Sequence, residues 1–127
     1  FKLINDVYGH MVGDEVLGYF AKALTITKLV DSEAYRFGGD EFVVIAKHSS
    51  REALLSFFDT LSSYLSKENK FGIQLSFSAG VTQNSVIFPS PLVLVRCSDH
   101  GMYQAKRTGN QYYFMSNEDC DEFIPKE

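Results

Sequence analysis

Asp40 and Glu41 stand side by side, directly after Gly38 and Gly39. Adjacent carboxylates offer hard oxygen donors, which hold a hard cation such as Mg2+ and let it bridge to phosphate oxygens. The two glycines carry no side chain, so a ligand meets no obstacle there. Two more polar clusters could act with this pair. Asn5, His10 and Asp14 follow one another at spacings of five and four. An Asn amide and an Asp carboxylate together match the edge of guanine, whose N1–H and N2 amine need acceptors. Lys106 and Arg107 form a cationic pair near the other end, and Lys2 is a further cation at the start. Cations so placed either grip phosphates or complement the C-terminal end of a helix. Taken singly, each cluster also has a plain reading: a turn with solvated acids, a capped helix entry, a neutralised helix end.

The elements that must position these residues are legible in outline. Ala34–Phe37 and Phe42–Ile45 are rich in aromatic and β-branched residues and flank Gly-Gly, which predicts a tight hairpin with Asp40 and Glu41 at its tip. Phe1 to His10 reads as a strand exit and a short helical turn. Gly13-Asp14-Glu15 is expected to open a helix, its acids facing the positive end, with Val16, Leu17, Phe20, Ala21 and Leu24 as the apolar stripe. Ser49-Ser50-Arg51-Glu52 fits a capping box with Ser49 as N-cap, before a helix burying Leu54, Phe58, Leu61 and Leu65. A polar break spans Lys67 to Lys70. Ile73, Leu75 and Phe77 then alternate with polar residues as in a half-buried strand, and Gly80 marks a bulge or a close backbone approach. Pro89-Ser90-Pro91 introduces a helix with Leu92, Val95, Met102 and Ala105 inward and Gly109 at its end. Tyr112 to Met115 is a last strand. Ser116 to Glu127 is acidic and weakly patterned, as a linker or tail would be. The fold class that results is α+β: a mixed, mainly antiparallel sheet flanked by helices.

A length of 127 residues suits one domain, here placed at residues 1–115. Net charge is −4, which leaves no basic face for duplex nucleic acid. An acidic protein that handles phosphates needs metal ions to offset the repulsion. Two cysteines are too few for a disulfide scaffold and match no zinc spacing, so a reducing cytoplasm is expected. No apolar run reaches the length of a membrane span, and no direct membrane contact is expected of this stretch.

Together the clusters resemble one family. Phe1-Lys2-x-x-Asn5-Asp6-x-x-Gly9-His10-x-x-Gly13-Asp14, Arg36-x-Gly38-Gly39-Asp40-Glu41-Phe42, Ser78-x-Gly80 and Asp99-x-x-x-Tyr103-x-Ala105-Lys106-x-x-Gly109 are similar to the diguanylate cyclase catalytic domain, the GGDEF domain. The match runs from Phe1 to about Met115, with its motifs in order. The resemblance implies a nucleotidyl-cyclase-like fold and condensation of two GTP into cyclic di-GMP with loss of two pyrophosphates. It implies Mg2+, or Mn2+ in its place, at Asp40 and Glu41. Asp40 would also lie where the family's base for the 3′-hydroxyl lies, with Glu41 as its acidic neighbour. Asn5 and Asp14 would read guanine, His10 would lie beside the nucleotide, and Gly38 and Gly39 would let the substrate approach. Lys2 would stabilise phosphate charge, and Lys106 would hold the triphosphate. Because each subunit presents one GTP, a homodimer is implied, and sensory or phosphodiesterase domains elsewhere in a longer protein.

The chain departs from the family pattern in three places. The pattern begins earlier, with a strand that carries a second metal-ligand Asp, so this stretch reads as truncated and weak as an enzyme alone. Asn110 stands where the family usually has a phosphate-gripping Arg. The inhibitory Arg-x-x-Asp falls on Leu29-Val30-Asp31-Ser32 and is absent. A degenerate GTP-sensing domain that regulates an attached phosphodiesterase is therefore the alternative. A polymerase-type nucleotidyltransferase fits less well, for want of a basic groove.

Overall fold

The computed structural model describes residues 1–67, 71–83 and 90–123 and divides into two compact units, Phe1–Ser76 and Phe77–Glu127. In the first, Gly9 splits the N-terminal stretch into helix α1, Lys2–Tyr8, and helix α2, His10–Ile26. Its φ of 89° lies in the region that only glycine enters freely. Helix α2 thus begins at His10, a turn before the expected start at Gly13, and has no acid in its first turn. The competing signal was Gly9, whose backbone freedom fixes the corner more strongly than acid placement does.

The inward side of α2 carries Val16, Leu17, Ala23 and Leu24, all buried. Phe20 and Ala21 are half-buried. Helix α3, Arg51–Lys67, contributes Phe57, Phe58, Leu61 and Leu65 to the same core. Tyr19 of α2 stacks on Tyr64 of α3 at 5.7 Å between ring centroids, and its hydroxyl donates to the Tyr64 carbonyl at 3.2 Å. The N-cap of α3 is Ser50 rather than Ser49: the Ser50 Oγ accepts from the Ala53 amide at 3.1 Å. Glu52 therefore sits one residue too early to complete a capping box.

Strands β1, Ser32–Gly38, and β2, Glu41–Ala46, form the expected antiparallel hairpin, with Tyr35 opposite Val43 and Arg36 opposite Phe42. The register shifts between Arg36 and Gly38. Phe42 rests on Phe20 of α2 at 5.1 Å, which seats the hairpin on the helix.

The second unit is built on α4, Pro91–Thr108, packed on two short parallel strands, β3, Ala79–Val81, and β4, Tyr112–Phe114. The buried side of α4 is Val93, Cys97, Gly101 and Ala105, a four-residue spacing. Of the residues expected inward, Ala105 is buried, Val95 and Met102 are half-buried, and Leu92 is exposed. Hydrophobicity alone misses this face because close packing here selects small residues. Ile73 to Phe77 keeps its in-and-out alternation, but the regular ladder starts only at Ala79. Alternation encodes which side is buried; a strand also needs a paired neighbour.

Gly80 is a close approach. A Cβ there would collide with the Ser98 carbonyl oxygen and the Met102 amide nitrogen of α4, and would lie 2.8 Å from the Gly101 carbonyl carbon. These are backbone atoms, which cannot swing away. Gly80→Ala should cost about 3 kcal/mol, the upper end of ordinary overpacking. A fall in Tm of roughly 10 °C in calorimetry is expected; an unchanged Tm would refute this packing.

After β4, Ser116 and Asp119 form a capping box at the start of α5, Asn117–Cys120, and a 3₁₀ turn covers Asp121–Phe123. Cys97 and Cys120, both buried, are joined as a disulfide. The low cysteine count did not anticipate this single pairing, which links α4 to α5 inside the second unit. Residues 124–127, like Lys70 and Pro89, lie outside the described residues. No helix among the described residues is long and apolar enough to cross a membrane. The class is α+β, as the sequence predicts.

Candidate functional site

The corner between α1 and α2 places the first polar cluster. The Gly9 amide donates to the Asn5 carbonyl at 2.9 Å, closing α1. One turn on, buried Gly13 faces the side chain of Asn5: a Cβ at residue 13 would collide with Asn5 Oδ1 and lie 3.4 Å from the Phe1 ring. The spacing Asn5-x-x-x-Gly9-x-x-x-Gly13 thus has a physical cause. One glycine turns the chain, and the other leaves room for the Asn amide.

Asn5 Oδ1 is buried with no hydrogen-bond partner in the structure. A buried acceptor left unpaired costs on the order of 1–3 kcal/mol, a standing reason for the amide to turn when a donor arrives. As placed, the oxygen points at Gly13 and the amide nitrogen is the group left for a ligand. Accepting from guanine requires the amide to turn over. Lys2 and His10, at the starts of α1 and α2, are exposed.

Asp14 stands one residue beyond Gly13, exposed, at the edge of a groove of about 440 Å³ between α2 and the hairpin. Leu17, Ala21, Leu24 and Phe42 provide apolar lining, and Asp14 and Arg36 supply charges of opposite sign. An apolar floor with a carboxylate at its rim suits a flat base whose edge donates hydrogen bonds.

Arg36 links this groove to the hairpin tip. Its Nε and Nη2 donate to the Gly39 carbonyl at 3.0 and 2.7 Å. Gly38 pairs with Glu41, so Gly39 and Asp40 form the loop. Gly39 takes a φ of 50°, the left-handed backbone that the first loop position of a primed turn demands. Asp40 and Glu41 are exposed. No cluster of three or more His, Cys, Asp or Glu side chains able to hold a metal occurs among the described residues. Asp40 and Glu41 each offer exposed carboxylate oxygens, the hard donors that a cation such as Mg2+ takes. At the far end of β1, the Tyr35 hydroxyl donates to the Glu33 carboxylate, and this bond with the neighbouring negative charge holds the phenol above its usual pKa.

Lys106 and Arg107 occupy the last turn of α4 in the second unit, both exposed. Gly109 closes that helix in the left-handed conformation at φ 74°. Of the residues singled out in the sequence, Lys2, Asn5, His10, Asp14, Gly38, Gly39, Asp40 and Glu41 belong to the first unit. Sequence reasoning assigned no role to Arg36 or Gly13. Arg36 was findable as the cross-strand partner of Phe42; Gly13 only from the packing.

At the family's inhibitory position, Ser32 is buried and its hydroxyl donates to the Leu29 carbonyl at 2.7 Å, while Asp31 holds a φ of 55°. These residues form a local turn.

The sequence pattern of the family described as Diguanylate cyclase, GGDEF domain, matches residues 1–112. Diguanylate cyclase DgcZ of Escherichia coli is 33% identical over 113 residues, covering 86% of this chain and 38% of its own length. Cyclic di-GMP phosphodiesterase PdeR of the same organism is 31% identical over 112 residues, covering 86% of this chain and 17% of its own length. The chain thus spans well under half of these relatives. The crystal structure of the GGDEF domain of YfiN, or TpbB, from Pseudomonas aeruginosa superposes with a TM-score of 0.79 at 26% identity, over 91% of this chain and 75% of that one. With motifs, fold and family pattern in agreement, this chain belongs to the GGDEF, diguanylate cyclase, domain family.

Proposed function

We propose that this domain binds GTP and, as a face-to-face homodimer, condenses two GTP into cyclic di-GMP with release of two pyrophosphates. The observation that carries this reading is Arg36, which lines the groove beside Asp14 and also grips the turn that presents Asp40. Base recognition and the acidic tip are thereby coupled within one unit.

In this reading the guanine lies on the apolar floor, and Asp14 accepts from its N1–H and N2 amine. Asn5 completes the edge, with His10 beside the nucleotide. Gly38 and Gly39 leave the backbone open to the substrate, and Lys2 and Lys106 neutralise the triphosphate. Asp40 takes the proton of the 3′-hydroxyl as that oxygen attacks the α-phosphate of the second GTP and pyrophosphate leaves in line; the same step from the partner's GTP closes the ring and releases the second pyrophosphate. Asp40 and Glu41 would hold Mg2+, or Mn2+, which supplies positive charge against the phosphate oxygens when bound. Two substrates held in one orientation supply much of the rate, because positioning replaces an encounter in solution. The reading carries with it a cytoplasmic location, where GTP is available, and attached sensory or phosphodiesterase domains as in multidomain relatives. Incubating the full-length protein with GTP and Mg2+, then separating nucleotides by chromatography, tests the reading. Cyclic di-GMP should accumulate; GTP left intact would overturn it.

A second reading is favoured by Asn110 and by the likeness to a phosphodiesterase: a GTP-binding domain without turnover that regulates an attached enzyme. GTP then binds, no cyclic di-GMP forms, and hydrolysis of added cyclic di-GMP responds to GTP.

In either reading, inhibitory product binding at Leu29–Ser32 should be lost. Leu29 offers no side-chain donor, and Ser32 is uncharged and already engaged. Two missing charged hydrogen bonds weaken binding by about a hundredfold or more. Calorimetric titration with cyclic di-GMP should show no submicromolar site outside the catalytic groove. Tight binding that survives substitution of Asn5 and Asp40 would contradict this.

A further inference from the structure

The hairpin turn has little stiffness of its own. Gly38 and Gly39 are the residues with the widest backbone freedom, and the strand register slips between Arg36 and Gly38 just before them. What fixes the turn is a side chain. Two N–H groups of the Arg36 guanidinium converge on the Gly39 carbonyl, at 3.0 Å from Nε and 2.7 Å from Nη2. That carbonyl belongs to the peptide unit leading into Asp40, so gripping it sets the plane from which the Asp40 side chain leaves the backbone. A long exposed side chain loses rotamer freedom when held in this way. A two-pronged contact onto one acceptor is the geometry by which a planar fork offsets that loss, and an ammonium group cannot reproduce it.

The geometry points to Arg36 as a positioning residue: its fork locks the Gly39–Asp40 peptide so that the Asp40 carboxylate is presented in one orientation to metal and substrate. This role rests on the proposed cyclase reading for its catalytic consequence, but the locking itself does not. The fork uses two of the five guanidinium N–H groups. Arg36 also lines the groove that holds Asp14. A shift of the groove wall on substrate binding would thus reach the Asp40 turn through one side chain.

The test compares Arg36→Ala, Arg36→Lys and wild type in the full-length protein, with turn dynamics followed by 15N relaxation on the 127-residue chain. In Arg36→Ala the amides of Gly39 and Asp40 should change from ordered to mobile, with order parameters below about 0.6, while α2 and α3 amides stay unchanged. The kcat for cyclic di-GMP should fall on the order of a hundredfold, the loss expected of a misplaced reacting group. The KM for GTP should change far less than kcat, since Asp14 and the apolar lining of the groove remain. Free guanidinium should restore part of the lost kcat in Arg36→Ala, and Arg36→Lys should resemble Arg36→Ala. A turn equally ordered without Arg36, or kcat unaltered in Arg36→Ala, overturns the inference. So does full activity in Arg36→Lys, which would make charge rather than the fork the operative property. If wild type forms no cyclic di-GMP, the cyclase reading fails while the relaxation measurement still decides whether Arg36 locks the turn.

Discussion

Asp40→Asn should abolish cyclic di-GMP formation, by at least about a thousandfold, while leaving the melting temperature within about 2 °C of wild type. Asp40 is exposed at the second position of a two-residue loop. Surface substitutions away from buried features shift stability by less than about 0.5 kcal/mol. Catalysis is another matter. Asn has nearly the same shape but no charge, so it binds a hard dication weakly and cannot take a proton. A thousandfold corresponds to about 4 kcal/mol of transition-state stabilisation, within reach of one displaced charge beside a phosphoryl group. Turnover and melting should be measured on the same preparation. Retained turnover with an unaltered melt would remove Asp40 from the chemistry, whereas a collapsed melt would show that the hairpin tip is structural.

The second large effect is on base selection. Asp14→Ala should lower GTP affinity by roughly ten- to hundredfold, because two guanine donors lose a charged acceptor worth about 1.5–3 kcal/mol. Affinity for ATP, which lacks those donors, should change little. Asn5→Ala should also reduce the preference for GTP, but with a different signature. Its Oδ1 is already buried without a partner, so deleting the amide removes an unsatisfied group and should destabilise the fold very little. Calorimetry with GTP and ATP on both variants separates these effects. Unchanged GTP-over-ATP preference in both would detach the α1–α2 corner from recognition.

The residues that carry chemistry were more legible than the elements that hold them. The hairpin could be read because strand-forming residues flank two glycines, a purely local signal. The start of α2 could not, since two glycines compete there and only packing shows that Gly9 turns while Gly13 makes room for Asn5. The buried side of α4 was hidden for a related reason: Gly101 and Ala105 are inward because β3 comes close at Gly80, a contact between residues far apart in sequence. The Cys97–Cys120 bond spans a separation of 23 and carries no spacing signature. Arg36 lay within the hairpin motif, yet its grip on Gly39 is a side-chain contact that composition does not encode.

In the proposed reaction two in-line condensations, one from each 3′-hydroxyl, join two GTP molecules across a pair of these domains, with an Asp40 at each reacting hydroxyl. It is tested most directly by counting products from the full-length protein with GTP and Mg2+. Two pyrophosphates for each cyclic di-GMP are expected, with a rate per protomer that rises with protein concentration and neither product from Asp40→Asn. Pyrophosphate without cyclic di-GMP, or equal product from Asp40→Asn, would contradict it.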